Sequence, residues 1–283
     1  MTIRLGFVGV GRWARKLAES FRACGAEIVA HDRSAPARPK QDGLITERLD
    51  GFGYRVPWRD QLADKSIDAI VAVAPPEITT EVAMACAAAG KAVCATKPLF
   101  DHPERITAPF YVDFWRLWSR VWQLAKQEEG SLSLVLKGSG PMRSFPGMFD
   151  YGPHLAAHIL DLADGRSVRL VDSSRVHSET GEVYAGQWMI GGELTYGGTL
   201  VDCEFGNGAS EGVRSLSVHR PSGSLGTEYE TPTHIGDQPK EAIMQKFCRS
   251  FMSDVSEGFV DTKLLTYSRE GMRMLREIRE MAK

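Results

Sequence analysis

Long apolar runs are absent from this 283-residue chain. The most apolar stretches, residues 3–10 and 67–74, are strand-sized, far below the ~18 residues a membrane span requires. The first is interrupted by glycine and lacks the layout of a signal peptide, so a cytoplasmic protein without a membrane partner is expected. An excess of one charge is missing too. A formal net charge of −2 offers no basic surplus for nucleic acid or an anionic membrane. Cysteine is sparse: Cys24, Cys86, Cys94, Cys203 and Cys248 are odd in number and contain no Cys-x-x-Cys pair. That excludes a disulfide scaffold and predicts reduced, mostly buried thiols. His102, His177, His219 and His234 are scattered with no metal-ligand spacing among them, and no metal is expected. No Gly-x-Ser-x-Gly or Cys–His constellation points to a hydrolase.

What is present suits a two-domain α/β protein. Residues 3–8 read as a buried strand, followed by a glycine turn and a helix over 12–24 that stops at Gly25. A second strand covers 27–31. Residues 34–50, with Pro36 and Pro39, read as a loop. The continuous apolar run 67–74 is a strand buried on both faces, ended by Pro75-Pro76. A small-residue helix over 78–89 and a strand over 92–95 follow. Strands alternating with helices at this spacing predict right-handed crossovers and a doubly wound parallel sheet.

The second half changes character. Trp115, Trp118 and Trp122 recur at helical spacing in an aromatic segment, residues 110–127, whose start at 111–114 is also compatible with strand. Such a stripe reads as packing surface rather than as a ligand cage. Strands are predicted over 131–137, 168–176, 183–190, 193–203 and 213–218, with a short one near 226–230. Helices are predicted over 153–164, 240–257 and 262–281. Gly191-Gly192 is a hairpin signal. The composition shift near Phe100 divides a dinucleotide-binding domain, 1–100, from a substrate-binding and oligomerisation domain, 101–283, whose last helix is expected to pack back on the first domain.

Gly9-Val10-Gly11-Arg12-Trp13-Ala14 follows the first strand and opens the first helix, as a dinucleotide fingerprint requires. Gly9 allows the tight turn, Gly11 lets backbone approach a pyrophosphate, and Ala14 allows close helix–strand packing. The helix N-terminus supplies unpaired amides and a positive dipole end. Asp32 closes the second strand, where a carboxylate can accept both ribose hydroxyls of NAD and repel the extra phosphate of NADP. Arg33 beside it keeps NADP open.

These residues, with two further motifs, resemble the glucose–fructose oxidoreductase, inositol dehydrogenase and rhizopine-catabolism (Gfo/Idh/MocA) family. One motif runs from Ala72-Val-Ala-Pro-Pro-Glu77 through Ala88-Ala-Gly-Lys-Ala-Val-Cys-Ala-Thr-Lys-Pro-Leu99. The other is Asp150-Tyr151-Gly152-Pro153-His154, similar to the family's Asp-x-Gly-x-His. The resemblance implies a Rossmann domain followed by an α+β domain with an open, mostly antiparallel sheet, whose outer face often forms a dimer. It implies a nicotinamide site between the domains, with Lys97, Asp150 and His154 as the catalytic group. Ala74, Pro75, Pro76, Thr96 and Lys97 would join Gly9, Gly11, Arg12, Trp13, Ala14, Asp32 and Arg33 around the cofactor. Arg116, Tyr151 and His158 would meet the substrate. Two departures stand out. Thr96 replaces the Glu that usually precedes Lys-Pro, and Ala157 stands where an Asp often follows the histidine. Shifting the register so that His158 pairs with Asp161 repairs the second departure at the expense of the Asp and Gly positions.

The chemistry fits these roles. Hydride transfer at a carbinol needs a group that takes or returns the hydroxyl proton. Lys97 follows a parallel strand, where open sheets bind ligands, and an imidazole is a proton relay near neutral pH. The expected function is an NAD(P)-dependent oxidoreductase acting on a secondary alcohol or ketone of a sugar, sugar nucleotide or cyclitol, assembled as a homodimer or larger homo-oligomer. An imine or linear-tetrapyrrole reductase and a non-catalytic dinucleotide sensor are the alternatives.

Overall fold

The computed structural model describes residues 2–32, 52–127, 133–140, 148–178, 181–191, 199–207, 213–220, 223–229, 231 and 233–282. The chain forms two compact units, and each is discontinuous in sequence. The first comprises Met1–Asp113 and Met244–Leu265, and the second Phe114–Ile243 and Thr266–Lys283. The expected loop over 34–50, together with Arg33, lies outside the described residues.

In the first unit, six parallel strands line up as β3-β2-β1-β4-β5-β6. They are β1 (Arg4–Val8), β2 (Glu27–Asp32), β3 (Tyr54–Arg55), β4 (Ala69–Ala72), β5 (Ala92–Ala95) and β6 (Phe110–Val112). Every residue of β4 and β5 is buried, which is why neither alternates in polarity. Helix α1 (Arg12–Ala23) buries Ala14, Leu17, Ala18 and Phe21, a stripe of helical period set against the sheet. It closes as read, with Gly25 at φ +93° just past the end. Helix α3 (Pro76–Ala89) starts with proline at its first position, where no amide bond is lost, and ends at left-handed Gly90. The short helix α2 (Trp58–Ala63) and β3 carry too few apolar repeats to be read from sequence.

The core of this unit is aromatic. Phe7 meets Phe21 and Phe52 edge-on, at 6.4 and 5.3 Å between ring centroids. Phe251, from helix α6 (Lys240–Glu257), packs edge-on against Phe21 and Tyr111. The Tyr111 hydroxyl donates to Asp254 Oδ2 at 2.7 Å.

The second unit is built on a mixed sheet ordered β12-β11-β7-β10-β9-β8. Its strands are β7 (Ser133–Gly140), β8 (Val168–Ser178), β9 (Gly181–Ile190), β10 (Thr199–Asn207), β11 (Val213–Arg220) and β12 (Gly223–Tyr229). Only β7 and β10 run parallel; the other neighbours are antiparallel. A two-stranded ribbon, β13 (His234–Ile235) with β14 (Gln238–Pro239), precedes α6. On β10, Val201, Cys203 and Phe205 are buried, whereas Asp202 and Glu204 alternate outward.

Helix α5 (Met148–Ala163) and the last helix, α7 (Lys263–Met281), fit together closely. A Cβ on Gly152 would come within 2.6 Å of Leu275, and one on Gly271 within 3.0 Å of Ala156. Helix α5 begins five residues before the expected start at Pro153. Proline removes one backbone bond and crowds the carbonyl four residues back, yet the helix runs through Pro153 and includes the five residues ahead of it. The tryptophan stripe is divided between a 3-10 turn (Trp115–Trp118) and α4 (Arg120–Ala125), because Ser119 is extended. Trp115 and Trp122 are buried nonetheless, as packing surface should be.

Candidate active site

In the first unit the strand order reverses between β1 and β4, the switch point at which such sheets bind ligands. The loop after β1 is there. Gly9 adopts φ +101°, and a Cβ would fall 2.0 Å from the Val73 carbonyl oxygen, so this position requires glycine for the chain's own packing. Its amide donates to the Asp32 carbonyl at 2.8 Å. Gly11 is different. Its φ is an ordinary −68°, and a Cβ would meet nothing within 4 Å. Among the described residues nothing needs glycine at this helix N-cap. Close approach by a phosphate would, and α1 offers no side-chain cap and no first-turn acid to compete. The residues here fit a dinucleotide. Arg12 is exposed, Ala14 is buried under the loop, and the Trp13 indole donates to buried Asp113 Oδ2 at 2.8 Å.

The remaining candidates of this unit that are described sit at the C-terminal ends of strands β2, β4 and β5. Asp32 ends β2, and its Oδ2 accepts the Trp58 amide at 2.9 Å. The carboxylate thus caps α2, a task that sequence gave no hint of because the partner is 26 residues away. Ala74, Pro75 and Pro76 lead from β4 into α3. The turn is fixed by Thr79, whose hydroxyl accepts the Ala74 amide and donates to the Ala74 carbonyl. Thr96 leaves β5 with its amide and hydroxyl both on the Ala72 carbonyl, at 2.9 and 3.3 Å. The residue in place of the usual Glu therefore turns toward β4. Lys97 follows, half-buried, before a cis bond to Pro98.

In the second unit α5 gathers the other candidates. Asp150 lies in its first turn, and Tyr151, His154 and His158 are buried. The Arg116 guanidinium, stacked on Trp115 at 4.6 Å, reaches His154 Nε2 at 2.8 Å. Phe114 meets the His154 ring edge-on at 5.9 Å. One turn on, His158 donates from Nδ1 to the His154 carbonyl at 2.6 Å and lies edge-on to Trp122 at 4.5 Å. Burial pushes the His158 imidazole down to about 4; the nearby Arg116 charge acts the same way, against the backbone bond and Asp161. His154 and His158 do stand four apart on one helix, a spacing metal sites use, but the arginine and the carbonyl occupy one nitrogen of each. No cluster of three metal-ligating side chains exists among the described residues.

Asp161, from the alternative register, is an anchor. Its buried carboxylate accepts the Trp122 indole at 2.7 Å, Lys126 at 3.0 Å and the Tyr267 hydroxyl at 2.9 Å. Trp122 and Tyr267 carried no sequence signal for this role, since they converge from α4 and α7. All five cysteines are free, and four are buried. Among the described residues no helix is long and apolar enough to cross a membrane.

Residues 3–109 match the family model GFO_IDH_MocA, described as an oxidoreductase family with an NAD-binding Rossmann fold. No curated protein matches the chain. Among solved structures it is similar to scyllo-inositol dehydrogenase from Lactobacillus casei with bound NAD(H) and scyllo-inositol. The identity is 13%, the TM-score 0.70, and 100% of this chain and 97% of that one are covered. Myo-inositol 2-dehydrogenase from Lactobacillus plantarum gives 14%, 0.73, 100% and 97%. UDP-N-acetylglucosamine 3-dehydrogenase from Acidithiobacillus ferrooxidans gives 15%, 0.74, 100% and 98%. The chain thus resembles the Gfo/Idh/MocA oxidoreductases: residues 3–109 match the model of that family's NAD-binding Rossmann fold, and the chain shares the fold of inositol and nucleotide-sugar dehydrogenases.

Proposed function

We propose that this protein is an NAD(P)-dependent oxidoreductase that exchanges a hydride with a secondary alcohol or ketone of a sugar, sugar nucleotide or cyclitol. The observation that carries this reading is Gly11, a glycine at the sheet's switch point that neither backbone angle nor packing demands. The bound nicotinamide would supply the hydride-accepting ring. The α1 amides and Gly11 hold the pyrophosphate, and Asp32 Oδ1 takes the ribose hydroxyls while Oδ2 keeps its cap on α2. A carboxylate in that place favours NAD over NADP.

Lys97 is assigned as the amine that takes the hydroxyl proton in oxidation and returns it in reduction. His154 hydrogen-bonds the reacting oxygen, and Asp150 orients the imidazole or a substrate hydroxyl. Arg116 and Tyr151 line the substrate side, and His158 supports them from one turn on. The second unit is the substrate domain, and its sheet's outer face is the expected dimer surface.

Reduced-nicotinamide absorbance, followed against a panel of cyclitols, sugars and nucleotide sugars, tests the activity. Turnover with one of them is expected, together with loss of about 10²-fold or more in Lys97→Ala. An active enzyme whose Lys97→Ala variant keeps full turnover would defeat the assignment. If His154 alone proved essential, the imine or tetrapyrrole reductase reading would replace it; Thr96, which has no carboxyl group and turns its hydroxyl toward Ala72, fits that second reading. Tight cofactor binding with no turnover on any substrate would leave a dinucleotide sensor.

A further inference from the structure

The contact between Arg116 and His154 has a direction. A guanidinium has five N–H donors and no lone pair, and it stays charged at any pH a protein tolerates. A 2.8 Å contact with His154 Nε2 is therefore a hydrogen bond that the arginine donates and the imidazole accepts. A nitrogen that accepts carries no hydrogen, so a neutral His154 bears its proton on Nδ1. The arrangement is held from both sides. Stacking on Trp115 aims the flat guanidinium, and Phe114 edge-on together with burial in α5 fixes the imidazole plane. His158, one turn on, feels the same cation, which lowers its basicity.

We infer that Arg116 is a positioning residue that holds His154 as the Nδ1–H tautomer, with Nε2 as acceptor. The inference deepens the proposed function and rests on it for its catalytic meaning. Imidazolium would place an N–H against the guanidinium, so His154 cannot take up a proton at Nε2 while the pair is closed. Nδ1–H, a buried group in this structure, is then the one donor left for the reacting oxygen. In oxidation the Lys97 amine would take the O–H proton as the carbonyl forms, and a bound nicotinamide would supply the acceptor for the electron pair of the broken C–H bond.

The tautomer is read directly from two-bond nitrogen–proton correlations of the full chain labelled with ring-15N histidine, with His154→Gln assigning the signals. A protonated Nδ1 and a bare Nε2 are expected at neutral pH. Arg116→Met, with folding verified by circular dichroism, is expected to reverse the pattern. On a substrate that the panel identifies, it should lower kcat by about 10²-fold with KM within about threefold. A wild-type spectrum with the proton on Nε2 overturns the inference, and this needs no variant to fold. A folded Arg116→Met protein with an unchanged pattern, or with wild-type kcat, also overturns it. If no substrate turns over, the proposed function fails while the spectrum still decides the tautomer.

Discussion

Two glycines two residues apart separate folding from binding. Gly9 has a positive φ and no room for a methyl group beside Val73, so Gly9→Ala is expected to cost about 2 kcal/mol or more of stability. Gly11 has neither constraint. Gly11→Ala should leave the unfolding free energy in urea within about 0.5 kcal/mol of wild type yet weaken dinucleotide binding at least about tenfold, read by calorimetry. Asp32 allows a similar separation. Asp32→Asn keeps an oxygen for the Trp58 amide while removing the charge, so stability should hold and the ratio of NADP to NAD affinity should rise. At this scale much of the candidate site was legible, because a phosphate loop is local: strand, glycines and helix lie within a dozen residues. Asp32's second task and the arginine on His154 were not, since Trp58 and Arg116 come from 26 and 38 residues away in sequence.

Helix α5 shows what periodicity can and cannot tell. Its apolar stripe announced a helix, but its start was hidden by the usual preference of proline for a first turn, and its partners by distance along the chain. Gly152 read as part of a motif. Its fit under Leu275 and Phe205 gives it a packing reason that needs no ligand. The same helix carries Asp161, whose carboxylate is buried with three donors. Asp161→Ala is expected to cost about 3–5 kcal/mol, since it strands a lysine and two buried polar groups, and Tyr267→Phe about 1 kcal/mol, both measured by denaturant unfolding. His158 adds a pH signature. Its folded basicity is depressed to about 4, so the unfolded chain binds its proton first as pH falls. Its contribution is complete above about 6.5, is lost between there and about 4, and is on the order of 3 kcal/mol. Stability curves for wild type and His158→Gln should diverge in that window and run parallel outside it.

Across the whole molecule, alternating strands and helices pointed to the parallel sheet, and the series of strands expected between 131 and 218, with the family resemblance, pointed to the second one. A return to the first unit was expected of the last helix, whereas the element that belongs to that unit is α6. Nothing in the composition of α6 marks it as the element that returns to Phe21 and Tyr111. If the first unit is the cofactor domain, NAD at about 100 times its Kd should stabilise the chain by about 2.7 kcal/mol, seen as a raised Tm.

Because Phe247 and Phe251 complete a core begun by the first hundred residues, the ribosome must add the 130 residues from Phe114 to Ile243 before those rings are made. At about 5–20 residues per second, the nascent Rossmann sheet waits roughly 7–26 s with one aromatic flank uncovered. The domain that is translated first is thus among the last to be sealed.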